Sequence, residues 1–285
     1  NKPLLRRLYN EYGIRIIMGD YLGAYTIGSG ARWLGGTDYR DPEQCKKMKE
    51  LLRKFVLDHK DEPYVLMWLL GAENTLAGGH DEVNATRTLA WKHPEAYARF
   101  LNECALMIHQ LDPDHPVAVG NADLPLVEHY AKHAGELDIL GINAYRGATG
   151  FGKLWSDVQR LFDRPVLITE YGCDAWDSIN ERPDEAGQAA YHKGNWENIR
   201  ANLAGGGMGN ALGGVVFEYL DEWWKNPRGN PALHDATTDC RLPFPDGWSS
   251  EEWLGLVSQG DGKNSPRLRQ LRQAFFYYEK AWNAE

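Results

Sequence analysis

Short runs of apolar, often β-branched residues alternate along the chain with longer segments whose apolar positions recur every three or four residues. That alternation predicts parallel strands wrapped by helices. A helix is expected from Pro3 to Tyr12, stopped by Gly13 and followed by the strand IRIIMGDY. Asp41 and Pro42 read as an N-cap and first helical position, with Met48, Leu51, Leu52, Phe55 and Val56 as the apolar stripe behind them. The near-continuous apolar run YVLMWLLGAEN suits a strand buried on both faces. Pro94 opens a further helix, with Tyr97, Phe100, Leu101, Cys104 and Ile108 at helical spacing, and PVAVGN follows as a strand.

Helices around Leu126 to Ala134 and Leu154 to Phe162 precede the strands LDILGINAY and PVLITEYG. One near Ala189 to Leu203 leads through glycines into GGVVFEYLDEWW, and Ser265 with Pro266 is expected to cap the last helix. The stretch from about Asn226 to Ser265 is irregular and rich in Gly, Pro and Asp, and loops of that length are more often functional than idle. Tyr25 to Tyr39 and Pro231 to Trp253 lack the buried runs that further strands would need.

Six strands fit either an open doubly wound sheet or a barrel. Asp20, Glu73, Asn121, Asn143, Tyr145, Glu170, Glu218 and Trp223 all fall at strand C-terminal ends, which converge on one face in a (β/α)₈ barrel. No G-x-G-x-x-G follows a strand, as an open dinucleotide-binding sheet would lead one to expect. The barrel is the better reading, as one catalytic domain over residues 1–285.

Charge and composition narrow the function. A net charge of -9 argues against nucleic acid as the main partner. The 11 Trp and 14 Tyr raise the prospect of a carbohydrate partner modestly, because such rings stack on sugar faces as well as filling cores. The four cysteines form no C-x-x-C pair, and Cys173 reads as packing. His129 and His133 have the spacing of a metal pair but lack a third ligand motif, so neither metal nor cofactor is expected. No apolar run is long enough to span a bilayer. The location of the protein is left open, with export the favoured expectation.

Glycosidic cleavage needs a carboxylic acid to protonate the leaving oxygen and a carboxylate across the sugar ring. Glu73 ends VLMWLLGAE and Glu170 ends PVLITE, two glutamates at the tips of two buried strands. MWLLGAEN, LDILGINAYRG, LITEYG and GVVFEYLDEWW resemble, in order, four landmarks of glycoside hydrolase clan A, most of all the catalytic barrel of family 2 and its relatives. The resemblance implies a retaining β-glycoside hydrolase acting on a β-linked glycan or oligosaccharide, with Glu73 as acid/base and Glu170 as nucleophile. It aligns IRIIMG with the third strand, so the first two strands of the barrel are expected to be absent, with another segment or copy completing it.

Secondary roles come partly from the resemblance and partly from position. Tyr145 and Asn143 follow the sixth strand, where such families often place a tyrosine that bonds the nucleophile. Trp223 or Trp224 is a candidate floor for the sugar, and Asp20, Asn121 and Glu218 are candidates for binding hydroxyls. One departure matters: the clan places Asn before its acid/base glutamate to bond the sugar 2-hydroxyl, and here Ala72 stands there. A transglycosylase, or a carbohydrate-binding barrel with impaired catalysis, are the alternatives.

Overall fold

The computed structural model describes residues 1–25, 36–76, 87–225, 234–238, 240–259 and 269–283. Six strands form one sheet in chain order: β1 (Ile16–Asp20), β2 (Val65–Leu70), β3 (Val117–Ala122), β4 (Ile139–Asn143), β5 (Val166–Tyr171) and β6 (Ala211–Val216). Strands β1 to β4 pair in parallel. Among the described residues seven α-helices precede, separate or follow them: α1 (Lys2–Tyr12), α2 (Pro42–His59), α3 (Pro94–Leu111), α4 (Val127–His133), α5 (Leu154–Phe162), α6 (Glu185–Ala201) and α7 (Gln273–Asn283). This α/β architecture is compatible with part of a (β/α)₈ barrel. Among the described residues no seventh or eighth strand joins the sheet.

Two compact units divide the chain. One comprises residues 1–143 and 156–167, the other 144–155 and 168–285. In the first, Met67, Ala118, Ile139 and Leu167 form a buried cluster, with Ile17 and Leu69 packed on it. The next residue along β2, Trp68, points the other way, as strand alternation requires. Its indole meets Phe55 of α2 at 5.7 Å, and its Nε1 donates to Asp112 at the end of α3 at 2.8 Å.

The local signals act as expected at several ends. Asp41 accepts from the Glu43 and Gln44 amides ahead of α2, and Gly13 closes α1 at φ 69°. Along α2 the buried positions are Gln44, Met48, Leu52, Val56 and His59. Leu51, placed in the stripe by spacing, is instead 42% exposed, one step round the helix from it.

The second unit departs further. The run GGVVFEYLDEWW stays in the sheet only as far as Val216. Beyond it the Glu218 amide donates to the Leu254 carbonyl, and the Leu256 and Val257 amides donate to the carbonyls of Glu218 and Tyr219. The last helix starts at Gln273, and Leu271, which a helix opened at Ser265 and Pro266 would have included, pairs antiparallel with Val257. Ser265 and Pro266 lie outside the described residues, as do 226–233 and 260–264 of the long irregular stretch and 26–35 of the segment after Tyr25. The described remainder of that long stretch holds a 3₁₀ turn at Glu251–Trp253 and the strand Val257–Ser258.

Candidate active site

In the first unit, β2 ends at Leu70 and the chain turns at Gly71, whose φ is 76°. A Cβ at Gly71 would come within 2.7 Å of the Tyr97 hydroxyl, and one at Gly120 within 2.7 Å of the Gly71 carbonyl. Glycine at 120 lets the ends of β2 and β3 approach closely, and glycine at 71 leaves room for the Tyr97 and Asn74 side chains. Glu73 then sits at φ 54°, in the left-handed region, which costs a residue with a Cβ on the order of 1–3 kcal/mol and clusters at functional sites. Its amide donates to the Gly120 carbonyl at 3.1 Å, and its carboxylate Oε1 accepts from Asn143 Nδ2 at 3.0 Å. Glu73 and Asn143, both expected at the site, are thus in contact.

Asn74 cannot serve the sugar in place of the missing asparagine. It is buried, its Oδ1 accepts from the Ala72 amide at 2.8 Å, and its Nδ2 lies within bonding distance of the Tyr21 and Leu22 carbonyls and the Tyr39 hydroxyl. Asn121 is similarly occupied. It is wholly buried, accepts from Thr75 and Tyr130, and donates to the Asp123 and Pro125 carbonyls. Its place is therefore in the bracing of the loops rather than on a sugar hydroxyl. Asp20 accepts from the Leu22 amide at 2.8 Å, and burial pushes its carboxyl above the usual range.

In the second unit, β5 delivers Glu170, and the segment after β4 delivers Tyr145. The Tyr145 hydroxyl donates to Glu170 Oε2 at 3.0 Å. Tyr145 also packs on a buried cluster of Cys173, Tyr191, Phe244 and Leu254, which fixes its ring. Burial holds the Cys173 thiol well above its ordinary value, so it is an inert packing group.

Beyond β6, Phe217 packs against the same cluster and Glu218 follows it. Burial, then the neighbouring Glu222 charge, raises the Glu218 carboxyl to about 8. Lys225 lies 3.3 Å from Glu222, 3.4 Å from Glu251 and 4.7 Å from the Phe217 ring centroid. Trp223 is buried and stacks on His234, which Trp253 covers at a centroid distance of 3.8 Å. Trp224 is the surface member of the pair, 63% exposed.

His129 and His133 lie on α4, and among the described residues no group of three His, Cys, Asp or Glu side chains stands close enough to hold a metal ion. No described helix is long and apolar enough to cross a membrane. Sequence reasoning overlooked the exposed Tyr21 and Tyr25, although Tyr21 directly follows the end of β1 and Tyr25 stands four residues further on. It also passed over Lys225, one residue beyond a motif it had singled out.

No protein-family model and no curated protein sequence matches the chain. Solved structures do. The chain superposes on a GH2 β-galacturonidase from Eisenbergiella tayi bound to galacturonate, with TM-score 0.61 and 14% identity, over 100% of this chain and 43% of that one. It also matches a β-D-glucuronidase of Dictyoglomus thermophilum, at TM-score 0.59 and 15% identity over 99% of this chain and 43% of that one. The chain shares its fold with these two glycosidases. An exo-β-agarase has it too, at TM-score 0.59 and 15% identity over 98% of this chain and 43% of that one. The chain therefore spans less than half the length of these glycosidases, and the likeness is consistent with a GH2-like barrel.

Proposed function

We propose that the chain carries the catalytic glutamates of a retaining β-glycoside hydrolase. The observation that carries this reading is a matched pair of supports. Each strand-end glutamate has a neutral donor on its carboxylate, Asn143 on Glu73 and Tyr145 on Glu170, each at 3.0 Å. A hydroxyl held against a carboxylate stabilises its ionised form and aims it, which a nucleophile requires.

In the reaction, Glu170 attacks the anomeric carbon while Glu73 gives its proton to the departing oxygen. Glu73 then removes a proton from water, which displaces Glu170 and restores both groups. Solved neighbours include β-glucuronidases, a β-galacturonidase and an exo-β-agarase, so β-linked uronides and neutral β-glycosides are the substrates to try first.

The test is hydrolysis of an aryl β-glycoside panel, with the first-formed anomer followed by proton NMR. Release of the β-anomer supports retention, and release of the α-anomer contradicts it. Ala72 with a fully engaged Asn74 favours a second reading, a carbohydrate-binding barrel of low activity. Binding of the same glycosides without turnover would support that instead.

A further inference from the structure

We propose that Tyr21 and Tyr25, with Arg87, form the surface that receives the leaving-group ring of the substrate. This rests on Glu73 being the proton donor. The two tyrosines stand in the segment after β1, with ring centroids 6.0 Å apart and planes at 65°. Both are well exposed, at 52% and 41%. The Arg87 guanidinium lies 5.9 Å from the Tyr25 ring centroid, and its Nη1 donates to the Tyr25 hydroxyl at 3.3 Å. That pair of contacts restrains the Tyr25 ring.

The same segment is laced to the turn that carries Glu73. The Gly71 amide donates to the Asp20 carbonyl at 2.7 Å. Asn74 donates to the Tyr21 carbonyl at 2.9 Å and accepts from the Ala72 amide at 2.8 Å. Both chain neighbours of Glu73 are thereby bonded through one side chain to the backbone of Tyr21. A general acid stands beside the oxygen it protonates, so the departing group lies on the Glu73 side.

Large apolar rings left exposed at that position are costly to the free protein and useful to a ligand with a flat apolar face. A pyranose has such a face, and so does an aryl ring. A leaving group without a ring has none. The occupant is thus a ring-shaped leaving group, which makes oligosaccharides or aryl glycosides the substrates rather than simple alkyl glycosides.

The test uses the full-length protein and three substrates with one glycosyl group: a β-linked disaccharide, an aryl β-glycoside and the glycosyl fluoride, whose leaving group has no ring. In the Tyr21→Ala, Tyr25→Ala double variant, kcat/KM on the disaccharide, the aryl glycoside or both should fall about tenfold further than on the fluoride. Tyr21→Trp and Tyr25→Trp should recover most of that difference. A loss confined to one ring type identifies which ring the surface takes. Equal losses on all three substrates would overturn the inference and leave Glu73 and Glu170 standing. Failure of the parent protein to turn over the fluoride would instead overturn the glycosidase reading, and this inference with it.

Discussion

Ala72 lies between a glycine at φ 76° and a glutamate at φ 54°, and its amide is held by the Asn74 side chain. Its methyl group offers nothing to a sugar hydroxyl, and Asn74 is fully engaged elsewhere. Ring distortion and a bond to the 2-hydroxyl that tightens in the transition state together supply several kcal/mol in such reactions. Ala72→Asn should accordingly raise kcat by about tenfold or more. An unchanged kcat in a properly folded variant would mean that another group already serves that hydroxyl.

Four titrating residues of the second unit set a pH dependence of stability. Burial raises Asp174 and Glu218 to about 8, so below that pH the folded chain keeps protons that the unfolded chain has released. Stability from these two falls as pH rises toward 8. Burial lowers His192 and His234 to about 4, so between there and their ordinary 6.5 the unfolded chain holds more protons and stability rises with pH. The two effects oppose each other below about 6.5, and the carboxyls act alone above it. Urea unfolding should show stability dropping between pH 6.5 and 8, with a smaller drop for Asp174→Asn. Equal drops in both proteins would remove Asp174 from the explanation.

At the scale of elements, the buried pair of Asp221 and Arg272 joins the segment after β6 to the start of α7. Arg272 Nη1 and Nη2 lie 2.6 and 2.7 Å from the two Asp221 oxygens, and Asp221 also accepts from the Gly255 amide. Removing one partner strands the other charge, so Arg272→Met should cost about 3–5 kcal/mol in urea unfolding. Adding Asp221→Leu should recover much of it. A loss in the single variant comparable to an ordinary surface change would contradict this account of how α7 is anchored.

This anchoring was the part of the fold least legible from sequence. Strands β1 to β5 and helices α1 to α5 follow from local period, proline and capping residues. Asp41 and Pro42 mark the start of α2, and Leu154 to Phe162 matches α5 to the residue. The chain after Val216 does not, because its partners are Leu254, Leu256 and Val257, and no local pattern announces a pairing across that many residues. For the same reason Leu271 reads as helical when it pairs with Val257. The placement of Glu73, Glu170, Asn143 and Tyr145 was legible because each is a polar residue behind a buried run. The bracing roles of Asn74 and Asn121 depend on which loops face them, and Trp223 looks like Trp224 until one is seen to stack on His234.

At the scale of the whole molecule, β1 and β6 end the sheet among the described residues, and large apolar residues stand exposed just before β1 and on β6. Tyr12 and Ile14 lead into β1, and Leu212 and Val215 lie on β6. Open strand edges with exposed apolar side chains recruit other strands. The proposal at this scale is that another segment or a second copy covers these edges. Sedimentation of the 285-residue chain should therefore show concentration-dependent association. A single monomeric species at every concentration would contradict coverage by a second copy.

The central claim is that Glu170 is the nucleophile of a two-step displacement, and covalent trapping addresses it most directly. A 2-deoxy-2-fluoro β-glycoside with an activated leaving group slows release of the glycosyl group, and peptide mass spectrometry then locates the adduct. The account predicts a single glycosyl adduct on Glu170, lost in Glu170→Gln. An adduct on Glu218 or Glu222, or rapid turnover of the parent glycoside with no adduct at all, would contradict it.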